Sequence, residues 1–594
     1  MKTKFLSLFL LAGMLAACAE KDLDVNTPGA NDGSGVNQFL TVSIVSAGNL
    51  GTRADEPKDP EYQDGSVEED YVKSVRFFFF DNDNNEAVVK KADTGDGVQS
   101  YYDWTDGING SKDTSENISR ILTTTIVINS GNGDKIPASI VAVINPNNKV
   151  KELVNPKLAE LNSCITTFMP TTEDGKQTNF TMSNSVYADN GAKMEAVSVD
   201  GHIYGTEEAA EANPVVIYVE RINAKLTLKV DEDKLTPVTG ITRGETELEN
   251  VYSTGKNFDN RSDEPTATED DVTTTPAYDD NIYVHFLGWN VTDVAQTSRL
   301  MKDINPAWPD AYFGTYTGTV TYEPWNNVNY RRSYWAINPT SMSYGNGNFG
   351  FGEDVGESDY PANKYTDFTG KTYAYLQENA AADNTDGSGP VTPTKVIIAA
   401  ELIDSTGEPI DLTEWGGKLY KPADLLTTIA NTLPFYKDQN GTHITDADLD
   451  FAPNNNTNGP KYPVIVVKKD ADAIWYQLKV NDEGEDEYEA CVNTDIASYL
   501  QTNVATIKYW KAGHTYYFFD VRHLGLNEVS AGYYGIVRNH IYEATLTSLI
   551  GLGTPVFDPN EPIEPEKPEE ESLIAAQIRI LSWRLVRHDV ELTW

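Results

Sequence analysis

The chain has 594 residues, enough for roughly two to four domains that each bury a core, and carries a formal charge of −44 with a pI near 4.4. That charge excludes nucleic acid as a partner, because phosphates would be repelled. Three cysteines, Cys18, Cys164 and Cys491, are too few for a disulfide framework, so packing must supply the stability.

The chain opens with Lys2 and Lys4, an apolar run over 5–17 and then Leu15, Ala16, Ala17 and Cys18. A basic start, a short apolar stretch and small residues before a cysteine together read as a bacterial lipoprotein signal, with Cys18 the lipidated residue; a plain secretory signal is the alternative. No other stretch approaches the ~18 apolar residues of a membrane-spanning helix, so attachment to a membrane is expected through lipid alone. After a flexible leader, Leu40, Val42 and Ile44 alternate with Thr41 and Ser43, which predicts an isolated strand over 39–45 with one apolar face. A polar, proline-containing connection follows to residue 70. Arg53 lies in it, exposed to proteolysis between Thr52 and Ala54, although a lone loop arginine is ordinarily just solvated.

Strands are expected where Val75, Phe77 and Phe79 alternate with Arg76 and Phe78, and over 121–128 and 139–144. Residues 156–168 predict a helix, with Pro156 in its first turn and Leu158, Leu161, Ile165 and Phe168 on one face; Cys164 beside them reads as core. Strict alternation of Ile222, Ala224, Leu226, Leu228 and Val230 with Asn223, Lys225, Thr227 and Lys229 gives the clearest half-buried strand, and a domain junction is placed there. An Asp/Thr/Glu-rich stretch over 261–280 follows. Short helices are expected over 292–304, 422–433 and 494–507, with Thr292 and Thr494 as caps, and strands over 396–402, 464–467 and 516–521. No repeat period recurs, so a solenoid is not expected.

Catalytic chemistry finds no foothold. The seven histidines lie apart, in no metal-ligand or triad spacing. Residues 345–350 match G-x-G-x-x-G without the strand and helix that a dinucleotide site requires. Residues 81–86 begin like a calcium loop, but Glu86 stands where glycine is needed, so a turn between strands is the better reading. No nucleophile elbow or catalytic cysteine setting is present, so no cofactor or metal is expected and the chain reads as a non-enzyme.

The end of the chain is unusual. Residues 555–572 hold five prolines and six glutamates, too extended and self-repelling to enter a core. Beyond them Ala576, Ile578 and Ile580 alternate with Gln577 and Arg579, and apolar residues resume at Trp583, Leu585, Val590 and Leu592 after a phase slip at Leu581 and Ser582 that suggests a bulge. A strand on such a tether, with a reach on the order of 50 Å, suits either a neighbouring subunit or its own domain after a long solvated loop.

These features, with VERINAKLTLKV at 219–230, WNVTDVAQ at 289–296, RRSYWAINP at 331–339, YLQEN at 375–379, PTKVIIAAEL at 393–402, GYYGIVRNHIYEATLT at 532–547 and WRLVRHDVEL at 583–592, resemble the major-subunit fimbrillins of type V pili of the Bacteroidales, of the minor-fimbria kind. The resemblance implies a mainly β chain of two transthyretin-like β-sandwich domains with a few short helices. It implies delivery to the outer membrane as a lipoprotein, palmitate included, and cleavage of the Arg53–Ala54 bond by an Arg-specific protease. It also implies donor-strand exchange into a filament, with partners in other copies of the chain and in anchor and tip subunits. The expected organisation is a signal and lipobox over 1–18, a propeptide with the removable strand over 19–53, β-sandwich domains over 54–222 and 223–554, a tether over 555–572 and a donor strand over 573–594. Losing Leu40, Val42 and Ile44 would open a groove with unpaired backbone groups, and the tail strand would fill another subunit's groove head-to-tail. Polar insertions near 345–360 and 434–463 exceed what a compact shaft subunit needs, which leaves an ancillary or tip role open. The rival from another class is a cell-surface glycan-binding lipoprotein that stacks sugars on aromatic side chains and keeps Cys18 and its first strand.

Overall fold

The computed structural model describes Gln38–Ser46, most of residues 66–559 and Ile574–Ser582; stretches such as 258–280, 305–330, 352–372, 380–392 and 523–534 lie outside the described residues. The first part of the chain builds a ten-stranded sheet. Its main strands are β1 (Gln38–Ser46), β2 (Val75–Phe80), β3 (Tyr101–Trp104), β4 (Gly110–Asp113), β5 (Ile118–Ile128), β6 (Ser139–Ile144), β7 (Met182–Asn184) and β8 (Val215–Arg221). In space they run β3-β2-β6-β7-β8-β1-β5-β4, with Val197–Ser198 added to β6 and Ile203–Tyr204 to β1.

Strand alternation decides which side chain enters which core. In β2, Val75, Phe77 and Phe79 join a core shared with Leu40, Val42, Ile44, Leu122, Ile126, Ile140 and Ile217, so strands from the whole width of the sheet close over one interior. Phe78 and Phe80 point the other way, with Val141 and Val143, beneath the helices α1 (Asn148–Lys151) and α2 (Leu158–Asn162), which supply Val150, Leu158 and Leu161. Because β2 and β6 are covered on both faces, they read as continuous apolar runs. Arg76 on the outer face is held by Asp103, at 2.7 Å from both Nε and an Nη, and lies 4.4 Å over the Tyr101 ring.

The second part is a sandwich of two sheets. One is ordered β12-β9-β15-β17, from β9 (Asn223–Val230), β12 (Tyr373–Gln377), β15 (His540–Leu549) and β17 (Ile574–Ser582); the other is β10-β11-β13-β14-β16, from β10 (Val251–Asn257), β11 (Asn281–Thr292), β13 (Lys395–Ile403), β14 (His514–Asp520) and β16 (Thr554–Pro555). Ala224, Leu226 and Leu228 of the first sheet share a core with Val284, Phe286, Ile398, Leu402 and Tyr517 of the second. From Ala224 onward the alternation read over 222–230 is thus the inward face of β9, while Ile222, just before the strand, packs in the core beneath α1 and α2. The chain is mainly β with few short helices, as the composition of its apolar runs predicts.

Several expectations need correction. The helix over 156–168 is only α2, because β-branched Ile165 and Thr166 pair with Arg299 and Ser298 instead. No helix forms over 292–304: Thr292 ends β11, Asp293 takes φ 55°, and Val294–Ala295 and Ser298–Arg299 are short strands. The helices α4 (Pro422–Thr432) and α5 (Asn493–Asn503) do appear, but the amide of Val492 is capped by the Asp495 carboxylate at 2.9 Å and Thr494 lies inside the helix. The described part of the segment read as a polar insertion over 434–463 belongs to a lobe between β13 and β14 with its own core, in which Phe435, Ile444 and Leu449, with Ile465 just beyond, pack against Leu425 and Ile429 of α4 and Ile496 and Leu500 of α5. The proline/glutamate stretch also begins on the body: Thr554–Pro555 pairs with β14, and Val556 is buried beside Tyr516 and Phe518. Val556 and Phe557 precede the glutamate run, so they can dock where the glutamates cannot. The turn reading at 81–86 is what the structure has: the Asp81 carboxylate accepts the amides of Asp83 and Asn85, and Phe80 bridges Glu86.

Candidate strand-exchange site

β1 occupies the middle of the large sheet although it comes first in the chain. Along its whole length it pairs antiparallel with β5, from Gln38 opposite Ile128 to Ser46 opposite Arg120. On its other side it runs parallel to β8, from Val42 opposite Val215 to Ser46 opposite Val219, while Phe39 and Leu40 pair with Tyr204 and Ile203. Leu40, Val42 and Ile44 are 0% exposed. On the opposite face Thr41 Oγ1 is 2.9 Å from Thr125 Oγ1, and the helix α3 (Glu207–Ala212), capped by Thr206, packs against the strand. Removing β1 would strip partners from two strands at once and empty three apolar sites. At ~1.5 to 3 kcal/mol each, those side chains contribute roughly 5 to 9 kcal/mol gross, so a vacated channel would strongly favour any strand of the same pattern.

β17 lies at the edge of the first sandwich sheet, antiparallel to β15. Ile578 stands opposite Ala544 and Ile580 opposite Tyr542. Pairing continues unbroken through Leu581 and Ser582; the register shift falls between Leu546 and Ser548 on β15, not at the phase slip at Leu581 and Ser582. In the single chain the tail strand therefore rests at home at the edge of a sheet, paired among the described residues with β15 alone, whereas β1 is paired on both sides. Trp583, Leu585, Val590 and Leu592, like Cys18, Arg53 and Ala54, lie outside the described residues.

A charged cluster that sequence reasoning passed over sits where β1 ends. The Arg221 guanidinium meets the Asp70 carboxylate and the Glu69 carbonyl, while Lys225 Nζ lies 2.7 Å from the Glu69 carboxylate, which also accepts the Tyr375 hydroxyl and, at 2.7 Å, the Ser66 amide. Glu69 is 2% exposed. Burial alone would push its carboxyl up, but the Lys225 charge and the hydrogen bonds from Lys225, Tyr375 and Ser66 outweigh burial and leave it below its ordinary value of 4.5. The same burial and the Glu69 charge push the Tyr375 phenol up. The available signal was Glu220 and Arg221 interrupting an apolar run, since charges in such a place need buried partners. Two further buried pairs, Lys302 with Glu220 and Arg538 with Glu378, tie the loop after β11 and the start of β15 to their neighbours.

The described residues thus form a β-rich protein with its first strand inside one sheet and its last strand at the edge of another. Residues 508–589, covering β14, β15 and β17, match the family described as major fimbrial subunit protein type IV, fimbrillin, C-terminal. Over those residues the chain is thus similar to the fimbrillins, major subunits of fimbriae. A comparison with curated proteins gives no match. Among solved structures, the chain is similar to the tip fimbrial protein Mfa3 of Porphyromonas gingivalis with a C-terminal truncation, at 11% identity over 92% of this chain and 100% of that one, TM-score 0.29. It is also similar to a fimbrial assembly protein of Parabacteroides distasonis ATCC 8503, at 11% identity over 76% and 98%, TM-score 0.26. A candidate cell adhesion protein of Bacteroides eggerthii DSM 20697 is 11% identical over 92% and 97%, TM-score 0.33. Likenesses this distant carry no weight for mechanism.

Proposed function

We propose that this chain is a structural subunit of a cell-surface fimbria that polymerises by protease-activated strand exchange, supports adhesion, and has no catalytic role. The observation that carries the reading is β1: a first strand buried at the centre of its sheet, with Leu40, Val42 and Ile44 at 0% exposure, joined to the body through residues 47–65, which contain Arg53. A cut after Arg53 detaches that strand, and with it the lipid carried by Cys18, from everything downstream. The vacated channel then takes the tail of a second copy, with Ile578, Ile580, Trp583 and Leu585 as the leading side chains for its pockets and Val590 and Leu592 further along. Because each subunit has one channel and one tail, contacts run head-to-tail and the assembly is an open filament, begun and ended by anchor and tip subunits. For the tail the step is a transfer from the edge of β15, where one ladder holds it, to a channel with two ladders and a closed core. The division into domains over 54–222 and 223–554 belongs to the same proposal.

The test is Arg53→Ala, which should leave a lipidated monomer on the outer membrane; filaments assembled from the uncut variant would overturn the reading. An ancillary or tip role in the same assembly is the second reading, favoured by the lobe around α4 and α5, whose separate core gives the sandwich a projection that a repeating shaft contact does not need.

A further inference from the structure

β1 and the charged cluster share one end of the sheet. Ser46, the last residue of β1, pairs with Val219, two residues before Arg221. Arg221 in turn holds Glu69 and Asp70, close to where the described chain resumes at Ser66. From there to β2 the chain has no regular structure, yet it is held closely. The Asp70 amide donates to the Ser66 carbonyl at 3.0 Å, Asn145 Nδ2 donates to the Tyr71 carbonyl at 2.8 Å, and the Lys73 amide donates to Asn145 Oδ1 at 2.8 Å. Val72 enters the same core as Leu40, Val42 and Ile44. Two ionic ties join these, Glu69 with Lys225 on β9 and Asp70 with Arg221 on β8.

We infer that Glu69 and Asp70 form a clasp that separates what leaves from what stays when the chain is cut between Ser46 and Ser66. The cut frees β1 alone. The chain from Ser66 onward remains docked and becomes a fixed lip at the end of the vacated channel, against which the strand of a second copy is positioned. Without the clasp, loss of β1 would let 66–74 peel away, open the core at Val72 and blur the register of the incoming strand. Lys225 and Tyr375 are well placed to resist this, since they stand on adjacent strands, β9 and β12, of the other sheet. The inference rests on the strand-exchange reading for its consequence, but not for the clasp itself.

The test uses the full chain with residues 50–56 replaced by the recognition sequence of a site-specific protease, so that native processing is not at issue. Hydrogen exchange is measured at the amides of Asp70, Lys73 and Ser74 before and after cutting and removal of β1, and a synthetic peptide of residues 573–594, present in excess from the cut onward so that the chain's own tail is outcompeted, is then titrated for binding. The cut parent should keep the protection of these amides. Glu69→Gln and Asp70→Asn should lose it only after the cut and bind the peptide on the order of tenfold more weakly or worse. Asp70 is the more exposed of the two acids, so its variant keeps the test open where Glu69→Gln disturbs folding, and circular dichroism of the uncut chains reports that directly. Loss of protection in the cut parent, or variants that match it, would overturn the clasp. A peptide that binds neither parent nor variants, with protection intact in the parent alone, would overturn strand exchange and the lip's role in it while leaving the clasp standing.

Discussion

Shortening one β1 side chain should weaken the uncut chain and leave the assembled subunit untouched. Ile44 is 0% exposed and shares its core with Phe77, Leu122 and Ile217, so Ile44→Ala removes three buried carbons from a site closed on every side. Such a substitution costs about 2 to 5 kcal/mol, the upper part of the range applying where surrounding strands cannot collapse into the space. In a body of this size each kcal/mol lowers the melting temperature by about 2 to 4 °C, so the uncut variant should melt roughly 4 to 20 °C below the parent in a calorimetric scan. After cleavage the residue is gone with its strand, and filaments from variant and parent should resist denaturant equally. Leu40→Ala should behave alike. If the Ile44→Ala filaments dissociate earlier than those of the parent, β1 is still present in them and the reasoning fails; an uncut variant with an unchanged melting temperature would refute the packing argument.

Three further outcomes are expected. A chain ending at Ser572 should fold and be cut at Arg53 yet stay monomeric by light scattering, since it keeps a channel and lacks a donor; filaments from it would make the tail an ordinary edge strand. Gly513 takes φ +71°, and a Cβ there would lie 2.2 Å from the Leu402 carbonyl oxygen, so Gly513→Ala should destabilise the sandwich by about 2 kcal/mol or more in urea titrations, whereas Gly484→Ala, with open space around it, should cost about 1 kcal/mol from its backbone alone. Because Glu69 has its native acidity below the ordinary 4.5, its contribution is fully present above pH 4.5 and is lost as pH falls through the native value; the gap in melting temperature between parent and Glu69→Gln should hold from pH 7 to about 5 and close below that.

What the sequence made legible was whatever is local. β1, β6 and β9 announce themselves by period-two or continuous apolar runs, because one strand's neighbours alternate in and out along its own length. The stretch over 292–304 misled because Leu300, Met301 and Ile304 also suit a helical face, whereas the chain turns at Asp293, left-handed and tied to Lys395 at 2.8 Å, and continues as two short strands. The lobe was hidden because Phe435, Ile444, Leu449 and Ile465 are spaced by polar residues and meet only through contacts with α4 and α5. The clasp was hidden for the same reason: Glu69 lies more than 150 residues from Arg221, Lys225 and Tyr375, and no local pattern marks a partner so remote. Only one face of the exchange site could be read in advance, the paired apolar patterns of β1 and the tail; where each strand rests in the single chain required the fold.

The most direct measurement is the mass of the subunit in filaments sheared from cells. Peptides beginning at Ala54 with none from residues 38–46 are the predicted result, since β1 must leave before the channel can accept another strand. Filaments whose subunits retain residues 38–46 would contradict strand exchange at this site.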